Sequence, residues 1–278
     1  MDFLYLFKSI LLLSSLYYAG SLFYFIFGLS KKDEQPENIN TPPVSVIIAV
    51  RNGEKNLMRL LTALKNQTYS GQMEFVIVDD ESSDSTPKII KEFTQDDARF
   101  IYTSSVNRNQ SLNFKKRALD SGINNAKFEH LLFTDVDCIV QYSWIESMMS
   151  SFTDSTDYLI GYSEAIDTTT TAAKFQKIDF FMLLSAARGM VNNNSPWACT
   201  GQNQGYRKSL YNGVGGFSKI AEQLQGDDSL FLLLCRKTKN INVKFATSPK
   251  SFVISRPELT WKSFLKQRIR WAGDSKVF

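Results

Sequence analysis

"VSVIIAV", Val44–Val50, carries the reading of the fold. Apart from Ser45 and Ala49, every residue in it is apolar and β-branched. A continuous run of this kind, without polar alternation, is the pattern of a strand covered on both faces, and such strands belong to parallel sheets packed between helices. Towards the C-terminus, "EKNLMRLLTALKNQ" (Glu54–Gln67) has its apolar residues at helical spacing, and "MEFVIVDD" (Met73–Asp80) is a second buried strand. "STPKIIKEFTQ" (Ser85–Gln95) begins with Ser and Thr near a cap and Pro87 in the first turn, the start signals of a helix. "RFIYTS" (Arg99–Ser104), "FKKRALDSGINNA" (Phe114–Ala126) and "FEHLLFTDVD" (Phe128–Asp137) continue as strand, helix, strand. This alternation predicts βαβ units and an α/β fold: a Rossmann-like, mostly parallel sheet flanked by helices. Right-handed crossovers line up the strand C-termini along one edge, where open α/β sheets bind ligands.

Towards the N-terminus, "KKDEQPENINTPP" (Lys31–Pro43) reads as a linker. Before it, "SILLLSSLYYAGSLFYFIFGLS" (Ser9–Ser30) carries no charge and matches the roughly 20 residues needed to cross a bilayer. It is longer than a signal peptide's apolar region and ends in aromatics suited to a membrane interface. The expected organisation is a transmembrane helix over 1–30 and a linker over 31–43. Lys31 and Lys32 place that flank in the cytoplasm, with Lys8 on the other flank weighing against this.

The 278 residues, 43% hydrophobic and 22% charged, suffice for a globular core. A net charge of +4 is mildly basic. Its cations are dispersed among acids, which argues against a nucleic-acid module with clustered cations and stacking aromatics. Cys138, Cys199 and Cys235 are widely spaced and form neither a zinc pattern nor a disulfide framework. The single histidine, His130, reads as structural and leaves no room for His-based metal sites or a Ser-His-Asp triad.

The acidic motifs fall at the ligand edge. "VDDESSDST" closes the second strand and "TDVD" (Thr134–Asp137) the fourth. In extended backbone Asp135 and Asp137, at i and i+2, point to the same side. Two like charges so placed become sensible with a cation between them and another anion. Taken alone, Asp79 and Asp80 also suit a solvated turn. Asp227 and Asp228, in "QLQGDDSLFLLL", also suit a helix N-terminus, where the macrodipole favours acids. "QRIRW" puts Gln267, Arg270 and Trp271 at i, i+3 and i+4 on one helix face. The surrounding "LTWKSFLKQRIRWAG" (Leu259–Gly273) has aromatics on one side and cations on the other, so 259–278 is expected to be an amphipathic interfacial helix.

Four motifs in this order, "VIIAVRNGEKNL" with "VIVDDESSDST", "TDVD", "GDDSL" and "QRIRW", resemble those of membrane-anchored, inverting family-2 glycosyltransferases with the GT-A fold. The resemblance runs from about Val44 to Trp271 and implies a GT-A catalytic domain over 44–258. It implies that Asp80 accepts hydrogen bonds from the nucleotide base, with Arg51 and Glu54 nearby. Gly53 stands where the family often carries an acidic or other polar residue. Lys115 matches a lysine beside the diphosphate. Asp135 and Asp137 match the DxD motif, which would hold Mg²⁺ or Mn²⁺: hard cations that take carboxylate oxygens and share their shell with phosphates and water. Asp137 would then meet the metal, and Asp135 the ribose or a metal-bound water. Asp228 matches the general base, with the adjacent Asp227 the alternative; with almost no histidine present, a carboxylate base is what remains. Arg270 would neutralise the leaving diphosphate. Gln267 and Trp271 belong to the same acceptor and diphosphate end, Trp271 offering a flat face to an acceptor sugar or lipid headgroup. "WACTGQNQGYRKSLYNGVGGF" (Trp197–Phe217) resembles the segment leading into the acceptor site.

The implied activity is transfer of a sugar from a nucleotide-diphospho-sugar, a UDP-sugar first, to a hydroxyl of a lipid-linked or polysaccharide acceptor at the cytoplasmic membrane face. A catalytically silent, nucleotide-sugar-binding membrane scaffold is the other reading; the intact Asp80, Asp137, Asp228 and Arg270 argue against it. A phosphatase using the DxD aspartate as nucleophile is disfavoured by Cys138, where a threonine would stand. Related membrane synthases continue past the QxxRW helix into further spans; an end at Phe278 fits both a single anchor and a longer protein.

Overall fold

The computed structural model describes residues 2–31, 41–106, 109, 111–166, 169–223 and 226–273. Residues 32–40 of the expected linker and 274–278 of the expected interfacial helix lie outside them.

The expected alternation is present as β1 (Val44–Val50), α2 (Glu54–Lys65), β2 (Met73–Asp79), α3 (Thr86–Asp96), β3 (Phe100–Ser104), α4 (Phe114–Asn125) and β4 (His130–Phe133), behind the N-terminal helix α1 (Asp2–Ser30). β1 pairs in parallel with β2 on one side and β4 on the other, and β2 with β3. The register sets Val50 beside Asp79, so Arg51 and Asp80 leave the sheet together at one edge. The unbroken apolar run of β1 follows from its two covered faces. Val44, Val46, Ile48 and Val50 pack with α2 and with Trp144 on one side. Ile47 packs with Ala118, Leu119 and Ile123 of α4 on the other. Alternate residues of a strand serve opposite faces, and each such burial contributes roughly 1.5–3 kcal/mol.

The remainder follows as β5 (Ile139–Val140), α5 (Trp144–Ser151), β6 (Tyr158–Gly161), β7 (Ser163–Ala165), α6 (Thr171–Asn192), β8 (Gln204–Arg207), α7 (Lys208–Val214), α8 (Ser229–Thr238), β9 (Val243–Ala246), β10 (Val253–Ser255) and α9 (Trp261–Gly273). The main sheet has seven strands in the order β3-β2-β1-β4-β8-β6-β9, and a second sheet has the order β5-β10-β7. β8 runs antiparallel to both β4 and β6, while β6 pairs in parallel with β9, so β8 is the reversed strand of an otherwise parallel main sheet. α6 is capped by Thr170, whose hydroxyl accepts from the Ala173 amide at 3.1 Å.

One expectation about backbone fails here. β4 stops at Phe133, and Asp135 to Asp137 lie on a turn closed by the Cys138 amide donating to the Asp135 carbonyl at 3.1 Å. The fourth strand is therefore shorter than the stretch 128–137, and the two carboxylates share a turn rather than a strand face. His130 is buried at the far end of β4, edge-on to Phe152 at 4.9 Å. Burial, then the nearby Arg207 charge, lowers its pKa and keeps it neutral.

α1 is long and apolar enough to cross a membrane. Its last turns dock on α6. A Cβ on Gly28 would sit 2.0 Å from the Gly189 carbonyl oxygen, so two glycines let these backbones touch. Asn192 Nδ2 donates to the Gly28 carbonyl at 3.0 Å, and Lys31 Nζ to the Asn192 carbonyl at 2.8 Å.

Candidate active site

The C-terminal edge of β1, β2 and β4 opens into a cleft of about 870 Å³. Arg51, Asp80, Lys115, Asp135, Asp137, Asp227, Asp228, Gln267, Arg270 and Trp271 all line it. Of the residues that the resemblance assigns to the site, Glu54 alone does not. Its carboxylate accepts from the Ser85 amide at 3.0 Å and joins the loop after β1 to the start of α3.

Those two loops are laced together. The Asn52 side-chain oxygen accepts from the Ser83 amide at 2.8 Å, and the Gly53 amide donates to Thr86 Oγ1 at 2.8 Å. A Cβ on Gly53 would lie 2.6 Å from Val50 Cγ1 and 3.0 Å from Val136 Cγ2, which explains the absence of an acidic side chain at this position. Asp80 is buried beneath the loops and accepts from Ser105 Oγ at 2.5 Å, with Arg117 Nη2 at 3.4 Å.

The centre of the cleft is a knot of charge. Lys115, in the first turn of α4, puts Nζ 2.7 Å from Asp135 Oδ1 and 3.1 Å from Asp227 Oδ2. It donates a hydrogen bond to Asp135 and forms a second, longer ion pair with the buried Asp227. The two carboxylates hold the Lys115 pKa well above its ordinary value against the opposing effect of burial. Asp137 has its pKa raised, first by burial and then by the Asp135 charge. Asp228 caps α8: Oδ1 accepts from the Ser229 amide at 2.5 Å and Oδ2 from the Gly201 amide at 3.2 Å. Burial, then the Asp227 charge, pushes the Asp228 pKa up to about 6. A carboxylate so tuned is ionised near neutrality and basic enough to take a proton. Cys199, close behind it, is held as an unreactive thiol by burial and by the Asp228 charge.

Asp135 and Asp137 fit a divalent cation. Among the described residues no group of three or more side chains could hold a metal alone. Two carboxylates on one turn, one of them raised in pKa by the other's charge, are an incomplete hard-oxygen set that needs a cation and further oxygen ligands.

α9 closes the opposite wall. Gln267 Oε1 accepts from Gln176 Nε2 at 3.3 Å, while Gln176 Oε1 accepts from the Glu258 amide at 2.8 Å. Arg268 pairs with Asp179 and lies over the Trp271 ring at 4.1 Å. Trp271 thus packs against Arg268 and against Phe180 at 5.9 Å while lining the cleft.

Sequence reasoning missed Asn52, Gln202, Arg256 and Glu258, which also line the cleft, and the supporting Gln176 and Asp179. One signal was available. Gln176 lies on a stripe of α6 otherwise filled by Ala172, Ala173, Phe180, Leu184 and Ala187, and a polar residue buried on an apolar stripe requires a partner.

The sequence profile of "Glycosyl transferase family 2" matches residues 45–215, and that of "Glycosyl transferase family group 2" residues 158–275. The putative glycosyltransferase EpsH of Bacillus subtilis is 34% identical over 122 residues, covering 44% of this chain and 34% of its own length. The probable glycosyltransferase YdaM of the same organism is 25% identical over 247 residues, covering 84% of this chain and 56% of its own. The chain therefore spans between about a third and just over half of the length of these two curated relatives. Among solved structures, the mannosyltransferase PcManGT from Pyrobaculum calidifontis, in complex with GDP-Man and Mn²⁺, superposes with a TM-score of 0.68 at 18% identity, covering 94% of this chain and 71% of that one. Residues 1–349 of S. aureus TarS with UDP-GlcNAc give a TM-score of 0.55 at 19% identity, covering 78% of this chain and 59% of that one. These likenesses show the fold, GT-A.

Proposed function

This chain belongs to glycosyl transferase family 2, and from that premise we propose that it transfers a sugar, with inversion, from a UDP-sugar to a hydroxyl of a lipid-linked or polysaccharide acceptor at the cytoplasmic face of a membrane. One observation carries the reading: side chains from the β1 and β2 loops, α4, the turn after β4, the cap of α8 and α9 converge on one cleft. Its volume of about 870 Å³ lies within the usual range for small-molecule sites.

Asp80 and Arg51 would bind the nucleoside end. Asp135 and Asp137 would hold Mg²⁺ or Mn²⁺, which supplies positive charge against the diphosphate. Lys115 can turn from Asp135 to a phosphate oxygen, since its ammonium is an exchangeable donor on a flexible stem. Asp228 would take the proton of the acceptor hydroxyl as that oxygen bonds to the anomeric carbon and the bond to the diphosphate breaks. Arg270 would meet the negative charge growing on the leaving diphosphate, a contribution realised as that charge develops. Gln267 and Trp271 would orient the acceptor. A single displacement of this kind inverts the anomeric centre and needs no covalent nucleophile, consistent with the unreactive thiols nearby.

The test is calorimetric titration of UDP into the detergent-solubilised full chain, with Mn²⁺ and with EDTA. Binding that requires Mn²⁺ and disappears in Asp137→Ala is expected. Binding of GDP in preference to UDP would overturn the donor assignment, and binding unchanged by EDTA would overturn the metal's role.

A further inference from the structure

The first turn of α4 carries three consecutive cations, Lys115, Lys116 and Arg117. At 3.6 residues per turn their side chains leave the helix about 100° apart, and each meets different partners. Lys115 pairs with Asp135 and Asp227, and Arg117 with Asp80 and Glu81. Lys116 points inward. It is 1% exposed, and its ammonium donates to the main-chain carbonyls of Ile220 and Gln223, between α7 and α8. Burying a charge is costly unless polar groups meet it, and charge-assisted hydrogen bonds are the strong ones. A cation so placed holds the segment whose carbonyls receive it.

That segment leads to the acids before α8. Ile220 is buried, and the Gln223 amide donates to its carbonyl at 3.3 Å, so the two acceptors of Lys116 belong to one turn. Gly226 lies three residues beyond Gln223, at a φ of +104° that favours glycine, and Asp227 and Asp228 follow. Three residues reach at most roughly 10–11 Å, so fixing Gln223 confines the acidic turn. The turn continues into α8, where the Phe231 amide donates to the Gly226 carbonyl at 3.1 Å and the Leu232 amide to that of Asp228 at 2.9 Å. Asp227 is thus joined to α4 twice: directly through Lys115 at 3.1 Å, and along the chain through Lys116.

The two links respond differently to a ligand. Lys115 is partly exposed, shared between two carboxylates and able to turn to a phosphate. Lys116 is enclosed and bonded to main-chain carbonyls, so a ligand in the cleft leaves its bonds in place. Resting on the glycosyltransferase reading, we infer that Lys116 is a positioning residue: it keeps the Asp227–Asp228 turn seated on α4 after Lys115 has left Asp227 for the diphosphate. A base needs such a hold, since a misplacement of about 1 Å can cost on the order of 10²-fold in rate. One helix turn then serves both halves of the reaction, with Lys115 and Arg117 facing the donor and Lys116 holding the base in place.

Hydrogen exchange of the detergent-solubilised full chain, read at single amides, tests this. The Phe231 and Leu232 amides report the seating of the acidic turn, and the Asp80 amide, which donates to the Val50 carbonyl at 2.7 Å, reports the integrity of the sheet. Lys115→Met and Lys116→Met should each have a small effect at Phe231 and Leu232. Together they should speed exchange there by roughly tenfold or more beyond the product of the single effects, with Asp80 unchanged. An effect equal to that product would overturn the inference, because the lysines would then act separately. Lys116→Arg in the Lys115→Met background should keep exchange slow; fast exchange with Arg and slow exchange with Met would make Lys116 a buried filler and overturn it too. The nucleotide arm adds UDP and Mn²⁺. Binding should slow the Ser83 amide, on the loop over Asp80, and leave Phe231 and Leu232 slow in the native chain while speeding them in Lys116→Met. Faster exchange at Phe231 and Leu232 in the native chain would overturn the inference without any variant. Should UDP slow no amide, the nucleotide reading of the cleft fails instead, and the lysine pair still decides the positioning role.

Discussion

The two walls of the cleft are built by different means. The wall we assign to the donor, from β1 to the turn after β4, uses consecutive βαβ units, and its cleft residues lie just past the end of a strand or in the first turn of a helix. The acceptor wall draws on α6, the cap of α8, the segment after β10 and α9, which meet only in three dimensions. The outer surfaces differ too. Among α2, α3 and the described side chains of α4, Met58 is the one large apolar side chain left exposed, whereas α6 and α9 present a continuous apolar face. A wall supported by its own sheet can face water. A wall made of two helices lying on a domain exposes whatever it does not bury.

The comparison predicts separable defects. The largest concerns the base we propose between the walls: Asp228→Asn should lower transfer by about 10²–10⁴-fold while leaving UDP affinity unchanged, as read by product formation beside calorimetry. A fully active variant would remove Asp228 from the chemistry and leave Asp227 to be tested.

Next is Lys115, the cation resident between the DxD turn and the acids before α8. Lys115→Met should weaken UDP binding by roughly tenfold or more, the usual weight of a hydrogen bond to a charged group. It should also tighten Mn²⁺ binding measured without nucleotide, because Asp135 no longer shares its charge with an ammonium. The opposite signs are the point of the experiment; weakening of both would make Lys115 a purely structural part of the donor wall.

The pH profile comes third. Asp228, with its pKa pushed up to about 6, is protonated and inactive as a base below that value, so transfer should rise with pH through about 6. In Asp227→Asn the neighbouring charge is gone and the acid limb should move to lower pH. The stability sign is the reverse. The folded chain holds this proton more tightly than the unfolded chain, so ionisation of Asp228 lowers stability as pH rises from its ordinary value towards about 6.

The smallest effect belongs to Gln176, which holds the Glu258 amide and the Gln267 side chain without reaching the donor wall. Gln176→Ala should reduce transfer by roughly two- to tenfold, the range of a lost neutral hydrogen bond or two, with UDP affinity intact. Loss of UDP binding in that variant would mean that the walls are not independent.

What was legible in the sequence follows the same division. The donor wall could be read because its rules are local: buried β-branched runs, helix start signals, and acids placed where parallel strands end. Even there the reading failed by a few residues at Asp135 and Asp137. Sequence spacing does not reveal whether a strand has already turned, and β4 ends at Phe133. The resemblance puts Glu54 beside the nucleotide base with Arg51, but hydrogen bonding to the Ser85 amide draws its carboxylate towards α3.

By itself the sequence determined the parallel half of the sheet, the edge at which ligands bind, the apolar N-terminal helix and the residue types available for chemistry, since period, caps and composition act over neighbours in the chain. Tertiary structure alone decided the antiparallel insertion of β8, the resting position of Lys115 between two acids, the tether of α9 through Gln176 and Asp179, and the joining of α6 and α9 into one apolar face. Each of these is a contact between segments far apart in sequence, and such contacts are set by which surfaces remain to be buried once the local elements have formed.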